Sequence, residues 1–156
     1  MRYIILLTSV FALSFSGAYL SYDLTSNFEV SSDGFSYDED FDSGALAVGY
    51  VHDLQNNMSV GASLDLLNME MEDSDDGIGF LNIFGRYSYP LSEKVSLWGS
   101  VGYNLPQGDI DDSDAGLSYG FGAQMSNGVG FNYTFHNFSE DEFDGTVSRL
   151  TLSYSF

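Results

Sequence analysis

Eight segments of the sequence alternate apolar side chains with small polar ones, residue by residue. Successive side chains of a β-strand point to opposite faces, so this two-residue period predicts strands that each have one apolar face. The segments span residues 18–24, with a continuation to 30 also compatible, 45–52, 58–67, 78–89, 95–104, 117–125, 129–136 and 146–156. In a chain of 156 residues, eight strands predict a single all-β domain.

The connections between these segments alternate between short and long. Residues 53–57, 90–94 and 126–128 are the short connections, and Asn127-Gly128 is a strong signal for a tight turn. The long connections are about 25–44, 68–77, 105–116 and 137–145. They hold 19 of the 23 acidic residues, so the acidic charge is predicted to lie at one end of the molecule.

The polar face of each predicted strand indicates what surrounds the sheet. In the third segment Val60, Leu64 and Leu66 alternate with Ser59 and Ser63, and Lys or Glu is almost absent from such polar faces. Small uncharged residues suit the interior of a narrow barrel, whereas large apolar ones suit contact with lipid. Only a closed sheet pairs every backbone group in hydrocarbon. The pattern therefore predicts an eight-stranded antiparallel up-and-down transmembrane β-barrel, with an exported soluble β-sandwich as the alternative.

Tyrosine side chains near the strand ends support the membrane interpretation. A tyrosine ring tolerates lipid while its hydroxyl seeks water, so such residues are predicted to form girdles at the two interfaces. They are Tyr22, Tyr50, Tyr87, Tyr89, Tyr103 and Tyr154.

The first 18 residues have the layout of a secretory signal peptide. Arg2 precedes an apolar run over residues 3–13, and Ser16-Gly17-Ala18 is a suitable cleavage site before the remaining residues 19–156. An amino-terminal anchor is the alternative. With 4 basic residues against 23 acidic ones, the chain has too little positive charge to bind nucleic acid. It has no cysteine, so disulfides cannot stabilise it.

The last predicted strand carries a recognisable pattern at its end. Leu150, Leu152, Tyr154 and Phe156 resemble the carboxy-terminal assembly signature of bacterial outer-membrane barrels. The whole mature chain resembles the small eight-stranded barrels of the OmpX and OmpA-transmembrane type, often grouped as opacity-type or porin-family proteins. The resemblance implies a monomer in the bacterial outer membrane that the barrel assembly machinery inserts. It also implies that the last strand pairs with the first, with short turns in the periplasm and acidic loops outside the cell.

Charged residues also fall on the predicted inner face, where a lone buried charge would be costly. They are Asp23, Asp65, Arg86, His136 and Arg149. Closure of the first strand against the last is expected to bring Asp23 close to Arg149, with His136 near the same end. Arg86 is expected near the short-turn end, far from both aspartates and without an identified partner. The set is interpreted as a buried charge network, with a gate or proton pathway as the alternative.

Two further patterns suggest chemistry. His136, Ser139 and Glu140 invite comparison with lipid A acyl hydrolases, which are small barrels that use these residue types, but the spacing differs from that family and Ser139 is predicted to lie in a loop. The acidic loops could bind Ca²⁺ or Mg²⁺ weakly, although no run matches a twelve-residue calcium loop, and no other cofactor is indicated. The candidate oxygen ligands are Asp109, Asp111, Asp112, Asp114, Asp73, Asp75 and Asp76.

The predicted function is that of an integral outer-membrane barrel with a structural or surface-interaction role. Its acidic loops would lie beside outer-membrane lipid and lipopolysaccharide, whose negative charge they would repel unless cations screen it. A narrow porin-like channel for small solutes is the first alternative, and a lipid A acyl hydrolase is the second. The chain is predicted not to be an enzyme.

Overall fold

The structure is a computed structural model that describes residues 17–32, 35–70, 77–140 and 143–156. The predicted signal peptide therefore lies outside the described residues except for Gly17 and Ala18. The candidate cation ligands Asp73, Asp75 and Asp76 lie outside them as well.

The described residues form nine β-strands, and eight of them close into an antiparallel barrel. The strands are β1 (Ala18–Ser32), β2 (Phe35–Asp40), β3 (Leu46–Asp53), β4 (Met58–Leu67), β5 (Ile78–Pro90), β6 (Val95–Gly108), β7 (Gly116–Met125), β8 (Val129–Glu140) and β9 (Phe143–Ser155). From β3 to β9 each strand pairs with the next in the chain, and β1 pairs with both β3 and β9, which closes the ring. This confirms the predicted fold and the predicted pairing of the last strand with the first. Among the described residues, no helix is long and apolar enough to cross a lipid bilayer.

β2 is the strand that lies outside the barrel ring. It pairs with residues 27–32 of β1, while residues 18–22 of β1 pair with β3. Much of the range predicted as a first loop, 25–44, is therefore a β-hairpin. The strands also extend into two other predicted loops, because β5 stays paired with β6 as far as Gly108 and β8 stays paired with β9 as far as Glu140.

A bulge in β1 changes which side chains face the interior. The register with β9 shifts between Asp23 and Thr25, which leaves Leu24 as an extra residue. One extra residue in a strand reverses the face of the sheet to which each later side chain of that strand points. Uninterrupted alternation would place Phe28 on the same face as Leu24, but the bulge turns Phe28 inward, where its ring stacks on Phe138 with centroids 5.9 Å apart.

The interior is filled differently at its two ends. At the end of the long connections, a buried apolar cluster crosses the barrel; we call it the apolar plug. It consists of Ala45, Met69, Ile78, Phe80, Ile110, Phe138 and Val147. Nearer the short turns, single aromatic rings lie over glycines: a Cβ atom on Gly122 would come within 2.6 Å of the Trp98 ring, and one on Gly61 within 2.6 Å of Phe84. Pairing a large side chain with a glycine fills the narrow interior without a clash.

The outer surface carries the large apolar side chains. Ile83, Val101 and Phe121 are each more than 60% exposed, at 61%, 63% and 61%. All six tyrosines predicted to form girdles are exposed as well. In a soluble sandwich these faces would be buried against each other. The sandwich alternative is therefore wrong, because the small polar faces point inward and the apolar faces point outward.

Candidate functional site

Arg149 binds two carboxylates in the middle of the barrel. Its Nε lies 2.8 Å from Oδ2 of Asp23, while Nη1 and Nη2 lie 2.9 and 3.1 Å from the two oxygens of Asp65. The three side chains are almost fully buried, with exposures of 7%, 0% and 3%. The Asp65 contact is the bidentate arrangement that makes a guanidinium–carboxylate pair strong and directional. β9, β1 and β4 thus meet across the interior through one arginine.

The two carboxylates carry one more negative charge than Arg149 neutralises, and further donors compensate for it. Oδ1 of Asp23 accepts a hydrogen bond from the Thr151 hydroxyl at 3.1 Å, and Oδ2 accepts from Ser26 at 3.3 Å and from the Ala45 backbone N–H at 3.2 Å. Oδ2 of Asp65 accepts from the Phe80 backbone N–H at 2.9 Å. Hydrogen bonds to a charged form lower the cost of its burial. We call Arg149, Asp23 and Asp65 the locked triad, since each member is held by several partners.

His136 lies next to the locked triad without joining it through a hydrogen bond. Its ring stacks on Phe80 with centroids 4.8 Å apart and an interplanar angle of 12°. The side chain is buried, and its Nδ1 has no hydrogen-bond partner within the described part of the chain. His136 therefore packs against the apolar plug, at the end of the barrel where the sequence predicted it.

Arg86 is the second cation in the interior, and its surroundings are aromatic. Its Cζ lies 4.1 Å from the ring centroid of Trp98 and 5.7 Å from that of Phe84. Its Nε and the Trp98 Nε1 are buried donors without an acceptor among residues 17–32, 35–70, 77–140 and 143–156. Arg86 contacts neither Asp23 nor Asp65, which agrees with its expected position near the short turns. Its aromatic neighbours were not anticipated from the sequence.

A small cavity separates the two arginines. Its volume is about 70 Å³, and its walls include Arg149, Arg86, Trp98 and His136. A cavity of this size holds a few water molecules at most. In the described residues, the apolar plug therefore fills the interior at the end of the long connections. The stacked side chains of Arg86 and Trp98 occupy part of it nearer the short turns.

The residues compared with a hydrolase site do not form one. Ser139 lies within β8 and not in a loop as predicted, and its hydroxyl donates to Oδ1 of Asp144 at 2.9 Å on the exposed face. His136 is three positions earlier in the same strand, on the buried face. Side chains at odd spacings in a strand point to opposite sides, so His136 cannot act as a base for Ser139. The Glu140 side chain lies outside what the structure describes.

Of the four candidate cation ligands in the third long connection, one makes a hydrogen bond to the neighbouring connection and the other three are exposed to solvent. The Asp109 carboxylate accepts a hydrogen bond from the Gly77 N–H at 3.0 Å, which ties this connection to the previous one. Asp111, Asp112 and Asp114 are exposed. Within the described ranges, no group of three or more His, Cys, Asp or Glu side chains could hold a metal ion. Weak cation binding stays a prediction.

The barrel resembles two solved structures of bacterial surface proteins. Ail, the attachment invasion locus protein of Yersinia pestis, is 16% identical, with 91% of this chain and 99% of that chain covered and a TM-score of 0.52. Neisserial surface protein A is 12% identical, with 90% and 98% covered and a TM-score of 0.57. No protein-family model matches the sequence, and no curated protein does. The chain therefore has the fold of small eight-stranded outer-membrane barrels.

Proposed function

We propose that the chain is an integral outer-membrane barrel with a structural or surface-interaction role, which presents its acidic connections outside the cell. One observation carries the proposal: the outward faces of the barrel strands bear large exposed apolar side chains, and the inward faces bear small polar ones. Such an outer surface would aggregate in water, whereas hydrocarbon solvates it. The exposed tyrosines provide the amphipathic side chains that both interfaces favour.

The acidic end is the surface that such a protein would present to its surroundings. Here β1, β2, β8 and β9 continue past the locked triad as a paired sheet, and β2 exposes Asp38, Asp40, Phe35 and Tyr37. The resemblance to outer-membrane barrels favours the outside of the cell for this end, beside lipopolysaccharide. Because both surfaces are negative, weak association with Ca²⁺ or Mg²⁺ would reduce their repulsion.

The proposal also includes how the chain would be exported and assembled. The exposed side chains of Leu152 and Tyr154 lie on the outer face of β9, and the exposed Phe156 follows that strand. The barrel assembly machinery could bind these side chains before the ring closes. Export through a cleaved signal peptide would deliver the chain to that machinery. In the membrane the barrel would be a monomer surrounded by lipid.

Gel migration and protease shaving test this proposal together. Detergent-extracted protein should migrate faster before boiling than after it, because a folded barrel binds less detergent. A protease site inserted between Phe35 and Asp40 should be cut in intact cells, and the same site inserted at 53–57 should be protected. A protein in the soluble periplasmic fraction without a heat-dependent shift would overturn the membrane assignment, and cleavage at 53–57 would overturn the orientation.

The channel alternative is tested by conductance across a planar bilayer. Among the described residues the apolar plug occupies the interior at one end, and the cavity between the two arginines is only about 70 Å³, so we expect no single-channel steps. Regular conductance steps from folded protein, absent from a boiled sample, would favour transport instead.

The hydrolase alternative is tested by lipid A analysis. Since His136 and Ser139 lie on opposite faces of β8, we expect Ser139→Ala to leave the acyl chains of lipid A unchanged in mass spectra. A change that depends on Ser139 would restore the enzyme interpretation.

A further inference from the structure

We propose that Arg86 and Trp98 form a binding site for an oxyanion, a carboxylate or a phosphate, that enters through the short-turn end of the barrel. The inference rests on the barrel fold and on the surroundings of these two side chains. It does not depend on which side of a membrane the short turns face.

Arg86 has donors that the protein leaves unused. One face of the guanidinium lies against Trp98 at 4.1 Å, which stabilises the cation but occupies none of its N–H groups. A guanidinium has five N–H donors, arranged in a planar fork that matches two oxygens of a carboxylate or phosphate. Within the described chain Arg86 makes no ion pair, and its buried Nε has no acceptor. A half-buried cation with an unpaired donor is a favourable partner for an anion.

Trp98, on which Arg86 stacks, carries a second donor without a partner in the described residues. Its indole Nε1 is buried and has no acceptor among the residues that the structure describes. Gly122 leaves the space that the indole occupies, so the ring is fixed by packing. The stacked pair therefore has two unsatisfied donors, and the packing of the indole reduces the ordering cost of binding a ligand beside it.

Both side chains line an opening at the short-turn end, although Nε of Arg86 and Nε1 of Trp98 are themselves buried. A funnel of about 740 Å³ opens there and reaches both Arg86 and Trp98. Its other walls carry Asp53, apolar surface and neutral polar side chains that include Asn57, Ser88, Ser96, Ser126 and Asn127. Hydroxyls and amides can donate to the remaining oxygens of an anion. The funnel has room for a small carboxylate or phosphate, and for the end of a longer molecule that carries one.

Charge is nearly balanced at this end, unlike at the other. Nineteen of the 23 acidic residues lie in the long connections, and Asp23 and Asp65 belong to the locked triad, so Asp53 and Glu93 remain near the short turns. Arg86 and Lys94 offset them. Asp53 lines the same funnel but makes no ion pair with Arg86 within 4.0 Å. Its negative charge would therefore repel an anion that enters the funnel.

Trp98 is the only tryptophan of the chain, so its fluorescence reports on the site directly. Detergent-folded protein is titrated with sodium acetate and, separately, with sodium phosphate, each replacing chloride at constant sodium concentration. We expect a saturable change in Trp98 emission with a Kd on the order of millimolar. Saturation by acetate alone identifies a carboxylate site, saturation by phosphate alone a phosphate site, and saturation by both a general oxyanion site.

Four variants separate a specific site from a general salt effect, and each is first checked for a heat-dependent gel shift. Arg86→Met keeps the apolar stem against Trp98 and should abolish saturation. Arg86→Lys keeps the charge without the planar fork and should weaken binding about tenfold. Lys94→Gln removes an exposed cation from the same end and should leave binding unchanged. Asp53→Asn removes a negative charge from the wall of the funnel and should strengthen binding about threefold.

Two results would overturn the proposal. One is an emission that does not saturate with either anion, which would mean that Arg86 is satisfied by its aromatic neighbours and solvent. The other is an identical response in folded Arg86→Met, which would place the effect elsewhere.

Discussion

Arg149 and Arg86 both lie on the inner face of one barrel, yet their positive charges are stabilised by different kinds of neighbour. Arg149 makes three hydrogen bonds to Asp23 and Asp65, whose oxygens accept four more from the surrounding chain. Arg86 has aromatic rings beside it and no carboxylate in contact. The same type of side chain therefore joins three strands in one layer of the barrel and has an unpaired donor in the other, depending on which residues the sheet register brings next to it.

The largest effect is expected from Arg149→Met. Removing the guanidinium leaves Asp23 and Asp65 buried together without a counter-charge, which should lower the free energy of unfolding by about 3–5 kcal/mol. The change is measured by unfolding the protein in lipid vesicles with urea. Loss of the heat-dependent gel shift reports the unfolded fraction at each urea concentration. A loss no greater than that of Arg86→Met would remove the distinction between the two arginines.

Gly122→Ala should come next, because it acts on the packing that holds Trp98 beside Arg86. The added methyl would lie 2.6 Å from the indole and 2.5 Å from the Phe131 carbonyl oxygen, so the strands must shift at a cost of about 1–3 kcal/mol. Its control is Gly99→Ala on the outer face of β6, where the nearest atom is 3.9 Å away. Equal stability of the two variants would show that the indole is loosely held.

Thr151→Val tests one contact of the locked triad with little change in shape. The Thr151 hydroxyl donates to Oδ1 of Asp23 at 3.1 Å, and loss of this hydrogen bond should cost about 1.5 kcal/mol. The same unfolding measurement applies, with Thr146→Val as control, since the Thr146 hydroxyl bonds to the neutral Asn137 amide. A larger loss in the control would argue that charge adds nothing to the Thr151 contact.

Arg86→Met should have the smallest effect on stability, within about 1 kcal/mol of the wild type. The variant loses the contact between the cation and Trp98 but also removes the cost of a partly buried charge without an ion pair, and the two changes oppose each other. Unfolding in urea measures the net result. A loss of several kcal/mol would mean that Arg86 has a structural partner comparable to those of Arg149.

Side-chain parity predicted much of this architecture. Alternation placed Asp23, Asp65, Arg86, His136 and Arg149 on one face, and antiparallel closure predicted the approach of Asp23 to Arg149. Asp65 could not be assigned to Arg149 in this way, because a contact across the interior depends on the register of strands that are not neighbours. The alternation also could not predict which side chains of β1 point inward after Leu24. The bulge there reverses their direction, and the local sequence gives no clear signal for a bulge.

The stacking of Arg86 on Trp98 had a signal that could have been used. On the inner face of segment 95–104, Trp98 is the one aromatic residue, and its neighbours on that face include Ser96, Ser100 and Gly102. A single large ring inside a narrow barrel must lie over a small residue on the next strand, and Gly122 is that residue. The signal suggests an aromatic layer near the short turns, although the cation that it contacts follows only from the structure.

The position of β2 has a consequence for how such a chain can change over evolutionary time. In the described part of the chain β2 pairs only with β1, so it contributes nothing to the circumference that eight other strands define. Insertions or deletions in this hairpin would alter the exposed acidic edge and leave the ring closed. Sequence drift and engineered peptide insertion would therefore both be tolerated best between Phe35 and Asp40.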